Sequence, residues 1–391
     1  MVEIVDKHLC CGCAACVQRC PKHCISLKED GEGFLYPEVD RDVCVNCGIC
    51  EKVCPVLNVN SNKRPLHVYA VKNNNEQQRL NSSSGGVFIA LAERIIDDGG
   101  VVFGCRYDNK WEVYHCKAET KEELIPLMRS KYLQSRIENT YKEAEGVLKK
   151  GVKVLFVGTP CQIAGLKLFL RKNYDNLITV DFICHGVPSP GIWRLYLQSI
   201  KAKQGLGASI ISDINFRNKR NFGWKKFGFT IDGKFSVEDS VASCLLSNIA
   251  VENPFMRGFL SNIYLRPSCY QCPTKNGSSM SDLTIADYWC IDKILPNYFD
   301  DDKGTSLVFV NSFFGMKLLE KLNIDKVEAP FKETIEKNKS YYQSPVEPQK
   351  RSLFFSEIRK HKDFDVALAK YYKPTLLDKI KRYKNLILKK S

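Results

Sequence analysis

The chain has 391 residues, 18 of them cysteine, with 44% hydrophobic side chains and a formal charge of +14 at neutral pH. This is enough apolar material for more than one core and excludes an intrinsically disordered chain. The first residues lack the basic segment and apolar run of a secretory signal, and no apolar stretch of about 18 residues is free of charge, so a cytoplasmic chain that does not span a membrane is expected. Cysteines at this frequency outside an oxidising compartment point to metal or redox chemistry before disulfides.

Ten of the cysteines fall within residues 1–54, and residues 1–60 carry six basic against nine acidic side chains, while the remainder is strongly basic. Cys10, Cys13, Cys16 and Cys20 before Pro21 form the pattern C-x2-C-x2-C-x3-C-P, and Cys44, Cys47, Cys50 and Cys54 before Pro55 repeat it. Three thiolates at intervals of three wrap one face of a cubane, and the fourth turns towards the cluster of the other half. One 4Fe-4S cluster is therefore assigned to Cys10, Cys13, Cys16 and Cys54, and a second to Cys44, Cys47, Cys50 and Cys20. Zinc is the alternative, although it favours two separated knuckles over four cysteines in one run. Cys11 and Cys24 fall outside the register and are expected as small buried hydrophobes. Residues 1–60 thus resemble a bacterial two-cluster ferredoxin domain, with Asn58 to Pro65 as a linker.

Strand-like runs follow at Val68–Val71, Val101–Gly104, Val152–Gly158, Leu177–Ile183, Leu283–Ile285 and Leu307–Val310. They alternate with helix-like runs at Val87–Asp97, Ile163–Lys172 and Ile192–Lys203, as in an α/β body. Ser82-Ser83-Ser84-Gly85-Gly86 precedes the first of these helices. Small residues there admit a phosphate to the helix start, though serine before a helix also serves as a plain N-cap. Gly158-Thr159-Pro160-Cys161-Gln162 turns from one strand into a helix, and the next strand ends in Cys184-His185-Gly186. Strands of such a unit are parallel, which sets Cys161 and Cys184 side by side at the carboxyl edge of the sheet. With the knuckle Cys269 and Cys272 they form a candidate ligand set for a third 4Fe-4S cluster, with Asp282 as a spare oxygen ligand. The alternatives are a lone activated thiol at Cys161, a Cys184–His185 nucleophile pair, or a zinc knuckle.

The segments Ser84-Gly85-Gly86, Ser130 to Ser135, Gly158 to Gln162, Cys184 to Ser189, Arg266 to Cys269 with Cys272, and Ser281 to Trp289 together resemble the coenzyme F420 hydrogenase/dehydrogenase beta-subunit family, from about residue 66 to 330. The resemblance implies an FAD-containing iron–sulfur protein that exchanges electrons between its clusters and a two-electron partner. It implies Ser84, Gly85 and Gly86 against the FAD phosphates, Lys131 and Gln134 at the flavin or its phosphates, and Gly158 and Thr159 with Cys184 and His185 lining the inner cluster and flavin pocket. Ala286 stands where many relatives have glycine, before Asp287. Lys131 and Arg129 suit a diphosphate and a reduced anionic flavin, or else form a solvated basic turn. His185 is the candidate proton donor.

The fold expected is a multidomain α+β and α/β chain: a ferredoxin-like head at 1–60, an α/β flavin-binding body at 66–150 and 151–330, and a short basic helical extension at 331–391. Phe216-Arg217 with Phe222 to Phe227 interleaves aromatic and basic residues, which suits a nucleic acid or, preferably, a hairpin beside the cofactor. No nucleic-acid-binding signature accompanies it, so no nucleic-acid partner is expected. Leu376, Ile380, Tyr383 and Ile387 lie at helical spacing among basic residues, which allows peripheral membrane contact or a cap on the chain's own domain. The function expected is an oxidoreductase with a redox partner protein or a small-molecule acceptor or donor. Its rivals are an electron-transfer subunit without its own substrate and a Cys/His thiol enzyme with structural metals.

Overall fold

The computed structural model describes residues 3, 6–203, 210–234, 243–298 and 300–372. Thirteen strands are formed among the described residues. In the head, β1 (Ile25–Glu29) and β2 (Leu35–Val39) pair antiparallel beside the short helices Ala15–Arg19 and Ile49–Lys52. In the body, β3 (His67–Asn73), β4 (Val101–Tyr107), β5 (Val113–Ala118), β6 (Val154–Val157) and β7 (Leu177–Phe182) come first. They are followed by β8 (Ile210–Asn218), β9 (Gly228–Lys234), β10 (Ser243–Ile249), β11 (Leu283–Asp287), β12 (Ser306–Val310) and β13 (Ile324–Glu328).

Eight of these form one mixed sheet in the order β13-β3-β12-β11-β7-β6-β4-β5. Its centre is parallel: β4 with β6, β6 with β7, and β7 with β11. Helices cover both faces, so the central strands are apolar along their length, and this is what made them readable as continuous hydrophobic runs. Val154, Leu155 and Phe156 of β6 and all five residues of β12 are buried. The edges β5 and β13 were not anticipated. Their sequences, VYHCKA and IDKVE, mix charge with apolar residues, as solvent-facing edge strands do.

The strands β8, β9 and β10 form a separate antiparallel sheet, so the segment of interleaved aromatic and basic residues is a hairpin. This sheet shares a core with helices Pro190–Lys203, Pro254–Leu260, Arg351–His361 and Phe364–Tyr372, built on Trp193, Tyr196, Phe216, Phe255 and Phe354. The first part of the expected C-terminal extension is therefore a core element. The run from Leu376 onward lies outside the described residues. Among those described, no helix is long and apolar enough to cross a membrane.

The head is packed into the body. Cys11, Cys13, Ala14, Ala15 and Val53 share a core with Tyr141, Phe156, Ile163, Leu166 and Phe169. Gln18 Oε1 accepts from the backbone of Tyr141 at 3.1 Å, and the buried Arg351 holds Glu32 through a 2.9 Å bond. The segment read as a linker is bonded too, with Lys63 N donating to Asn276 O at 3.0 Å and Arg64 lying over the Phe331 ring.

Gly33, at φ +86°, touches the backbone of Gly191 at the start of helix Pro190–Lys203, and any Cβ there would collide with it. We expect Gly33→Val to lower the unfolding free energy by about 2 kcal/mol or more, from overpacking and the left-handed backbone. Gly31→Val, where a Cβ meets nothing within 4 Å, is the neutral control, and denaturant titration of both variants is the measurement.

Candidate functional site

The duplication in the head is visible in its backbone. Gly12 and Ala14 in the first run, and Asn46 and Gly48 in the second, all have positive φ of 57–70° at matching positions. Each left-handed residue turns a peptide inwards, so consecutive N–H groups line a concavity suited to a negatively charged cluster. Cys16 and Cys50 sit on the short helices that follow, and Cys20 and Cys54 lie just beyond those helices.

The two runs lie close together. Burial, with Cys10, Cys54 and Cys50 as neighbours, pushes the Cys16 thiol up to about 12. Burial likewise raises Cys54, whose neighbours are Cys10 and Cys50. In the other half, Cys20, Cys44, Cys47 and Cys50 line one small cavity, the four thiols grouped by spacing. Among the described residues no group of three or more His, Cys, Asp or Glu side chains is placed to hold a single metal ion. The donor set and the cavity both fit a 4Fe-4S cluster.

Cys11 and Cys24 are buried core residues, as expected, and both lie close to other thiols. Cys24 lines the second cavity with its Sγ 3.4 Å from Cys20 Sγ. Cys11 shares a core with Cys13 in the head and Cys161 in the body, and its thiol is pushed well up, first by the neighbouring Cys13. Spacing within the run gave no sign of this, because the partner that matters is far away in sequence.

The body cysteines converge as the parallel β6–β7 pairing requires. Cys161 is the second residue of helix Pro160–Leu170, and Cys184 follows β7. Burial pushes Cys184 up to about 12, with Cys161 and Cys272 among its neighbours, and Cys269 is raised by burial with Cys184, Cys272 and Cys161 close by. Two backbone links zip the Cys184 loop to the knuckle segment: Arg266 N to Val187 O at 2.9 Å and Ser189 N to Tyr264 O at 2.9 Å. Gly186, at φ +148°, is needed because a Cβ would press on Leu265 at 2.9 Å and Cys269 at 3.3 Å. Lys275 Nζ donates to Cys184 O at 2.7 Å, a neighbour the sequence reading missed.

Asp282 is committed elsewhere. Its carboxylate accepts from Thr179 N at 2.8 Å, Thr179 Oγ1 at 2.7 Å and Ser312 Oγ at 2.5 Å. His185 pairs through Nε2 with Asn262 Oδ1 at 2.7 Å, and burial lowers its pKa. A neutral imidazole beside a thiol pushed up by burial is the reverse of an activated nucleophile pair.

The loop before helix Val87–Asp97 is packed tightly. Ser84 Oγ donates to Thr305 O at 2.9 Å, Gly85 N donates to Ser306 Oγ at 2.9 Å, and a Cβ on Gly85 would strike Val71 O and Ser306 N. Backbone packing thus accounts for that glycine. Gly86, the N-cap, supplies no side-chain cap to the helix. Ser83 Oγ accepts from Ser130 N at 2.8 Å, which brings the serine–glycine loop beside the Arg129–Lys131 turn. Arg129 is bidentate to Asp213 at 2.7 and 2.8 Å. Lys131 Nζ donates to Met128 O at 2.8 Å and more distantly to Leu127 O and Arg129 O, and burial lowers its pKa to about 8. Gln134 reaches the head, donating to Cys11 O at 3.1 Å and accepting from Arg266.

Next to this loop opens a cavity of about 560 Å³ with a mixed lining, in which Asn81, Arg129, Asp213 and Lys219 stand beside Ile89 and Met128. Lys219, lowered to about 7 by burial, donates to Ser84 O at 2.7 Å. Arg217 is bidentate to Asp287 at 2.7 and 2.9 Å, and Trp224 Nε1 donates to Asp287 at 2.7 Å. The aromatic and basic hairpin is therefore clipped onto the end of β11, with Arg217 and Trp224 buried. Gly158 and Thr159 serve the start of helix Pro160–Leu170, where Thr159 caps and its Oγ1 lies 3.1 Å from Cys161 Sγ.

Residues 151–333 match the family described as the C terminus of the coenzyme F420 hydrogenase/dehydrogenase beta subunit, and residues 9–58 match the 4Fe-4S dicluster domain. A chain from the xenon-derivatised F420-reducing NiFe hydrogenase complex of Methanosarcina barkeri is similar at 18% identity over 71% of this chain and 91% of that one, with a TM-score of 0.44. No curated protein matches.

His115 lies between these regions, stacked on Phe156, with Nε2 on Val157 O at 3.0 Å and no partner on Nδ1. Burial lowers its pKa to about 4. The unfolded chain takes up this proton near pH 6.5 and the folded chain only near 4, so stability is lost as pH falls through that window. Between pH 7 and 5 the wild type should lose about 2 kcal/mol more than His115→Gln, as read by denaturant titration at both pH values.

Proposed function

We propose that this chain passes electrons between three clusters and FAD; the match of residues 9–58 to a 4Fe-4S dicluster domain and of residues 151–333 to the C terminus of the coenzyme F420 hydrogenase/dehydrogenase beta subunit supports an iron–sulfur protein of the electron-transfer or oxidoreductase kind. The observation that carries the reading is that the two cysteine systems meet on one chain, where Cys11 and Cys13 of the head share a core with Cys161 of the body. The ligands proposed are Cys10, Cys13, Cys16 and Cys54 for the first cluster, Cys44, Cys47, Cys50 and Cys20 for the second, and Cys161, Cys184, Cys269 and Cys272 for the third. Cys13 packs against Ile163 and Leu166 of the body, which supports the first cluster as the inner one.

For FAD, Ser84, Gly85, Gly86, Lys131, Gly158 and Thr159 are proposed on the family resemblance, and the cavity next to the serine–glycine loop is lined by Asn81, Arg129 and Lys219 and by none of these six. Bound there, FAD would couple single electrons to a two-electron organic partner, coenzyme F420-like or another small molecule. The protein's part is to hold the cofactor and exclude water.

One observation favours the second reading, an electron-transfer subunit with no substrate of its own: Val43 and Val45 are exposed on either side of Cys44, an apolar rim suited to a partner protein.

Anaerobically purified protein should carry about 12 irons with matching sulfide, and released flavin should co-chromatograph with FAD. Cys184→Ser should bring iron down to about 8 while the head signals persist. Zinc in place of iron, with no flavin, would refute the reading.

A further inference from the structure

Arg266 is 1% exposed, so its guanidinium lies inside the protein. Nε donates to Cys10 O at 2.7 Å, Nη1 to Gln134 Oε1 at 2.9 Å, and Nη2 to Leu35 O at 2.9 Å and to Cys10 Sγ at 3.5 Å. The rings of Tyr36 and Phe34 lie 4.3 and 5.4 Å from its central carbon. None of the oxygen acceptors is charged.

The other buried arginines are different. Arg79 grips Asp301, Arg217 grips Asp287 and Arg351 grips Glu32, each through two N–H···O bonds. Among the described residues Arg266 has no carboxylate hydrogen-bond partner, and the titratable groups near it include Cys10, Tyr36, Cys11, Cys269 and Cys161. A cation removed from water with only neutral acceptors costs several kcal/mol. The anion within its reach is a thiolate at Cys10. Iron ligation makes that sulfur a thiolate and adds the net negative charge of the cluster, so the buried charge is balanced when the cluster is present. Gly12 keeps the approach open: a Cβ there would lie 2.7–2.9 Å from Gln134 Nε2 and from the guanidinium.

We infer that Arg266 is a positioning residue that sets the potential of the cluster held by Cys10, Cys13, Cys16 and Cys54. A fixed cation donating to a cluster sulfur stabilises the reduced state more than the oxidised one, because the reduced state carries one more negative charge. The midpoint potential is therefore raised, and the cluster facing the body becomes the better electron acceptor. The inference rests on the iron–sulfur reading above.

The test is an anaerobic redox titration of the full chain with dithionite, followed by electron paramagnetic resonance. Arg266→Gln should lower the equilibrium constant for one-electron reduction of one head cluster about tenfold, or 59 mV, and leave the other head cluster unmoved. Arg266→Lys, which keeps the charge and loses the fork, should fall between. Unchanged midpoints in an iron-replete Arg266→Gln protein would overturn the inference. As Arg266→Gln can also fail to fold, the wild-type chain labelled with 15N-arginine supplies a second readout. Pulsed resonance on its reduced head clusters should show coupling to an arginine nitrogen, and its absence also overturns the inference. A wild-type chain with no reducible cluster signal would instead bring down the iron–sulfur reading itself.

Discussion

The arrangement of this molecule depends on one close approach: the loop carrying Cys10 to Ala14 is pressed onto the first turns of helix Pro160–Leu170. Gly165 makes it possible, since a Cβ there would stand 3.0 Å from both Cβ and Sγ of Cys13. Ala14 and Ala15 pack the same surface with Ile163 and Leu166, and Tyr141 closes it with a hydroxyl bonded to Gln162 O at 2.7 Å. Small residues on both sides let the backbones meet, so the head's inner loop and the body's cysteines occupy one continuous interior.

How the body presents its half of that interior follows from topology. Parallel pairing of β6 and β7 sends both chains out at one edge, which is why residues 23 apart in sequence face each other there. The hairpin of β8 and β9 is then fixed over the neighbouring strand by Arg217 on Asp287, a buried pair with Trp224 as a third partner and Phe227 lying 3.7 Å below the guanidinium. Removing one member of such a pair strands the other inside the protein, so the pair makes the position of the small sheet hard to alter.

Much of this was legible in the sequence, and the reason is locality. The cysteine runs could be read because a cluster loop is built from neighbours, and the parallel strands because burial on both faces leaves an unbroken apolar run. Helix Val87–Asp97 begins and ends where its hydrophobic periodicity does. What stayed hidden is non-local. Arg266 and Cys10 are 256 residues apart, and Gln134 and Cys11 are 123 apart, so no period or spacing announces either pair. Gln134 is the clearest case: its motif was visible, yet its side chain engages the head loop. The edge strands β5 and β13 were lost for another reason, since one solvent-facing side blurs the alternation that marks a strand.

The shared core has a kinetic meaning. Domains joined by a free linker and a small polar interface move relative to one another by default, and a carrier built that way delivers its cargo by swinging. Here the connecting segment is bonded to Asn276 and Val310, and the head is anchored by Glu32, Gly33 and the Cys13 loop. On the function proposed above, electrons crossing from head to body would tunnel over a span set by packed atoms. The rate of that crossing would be a property of the folded interior, indifferent to solvent viscosity and to the length of the connection.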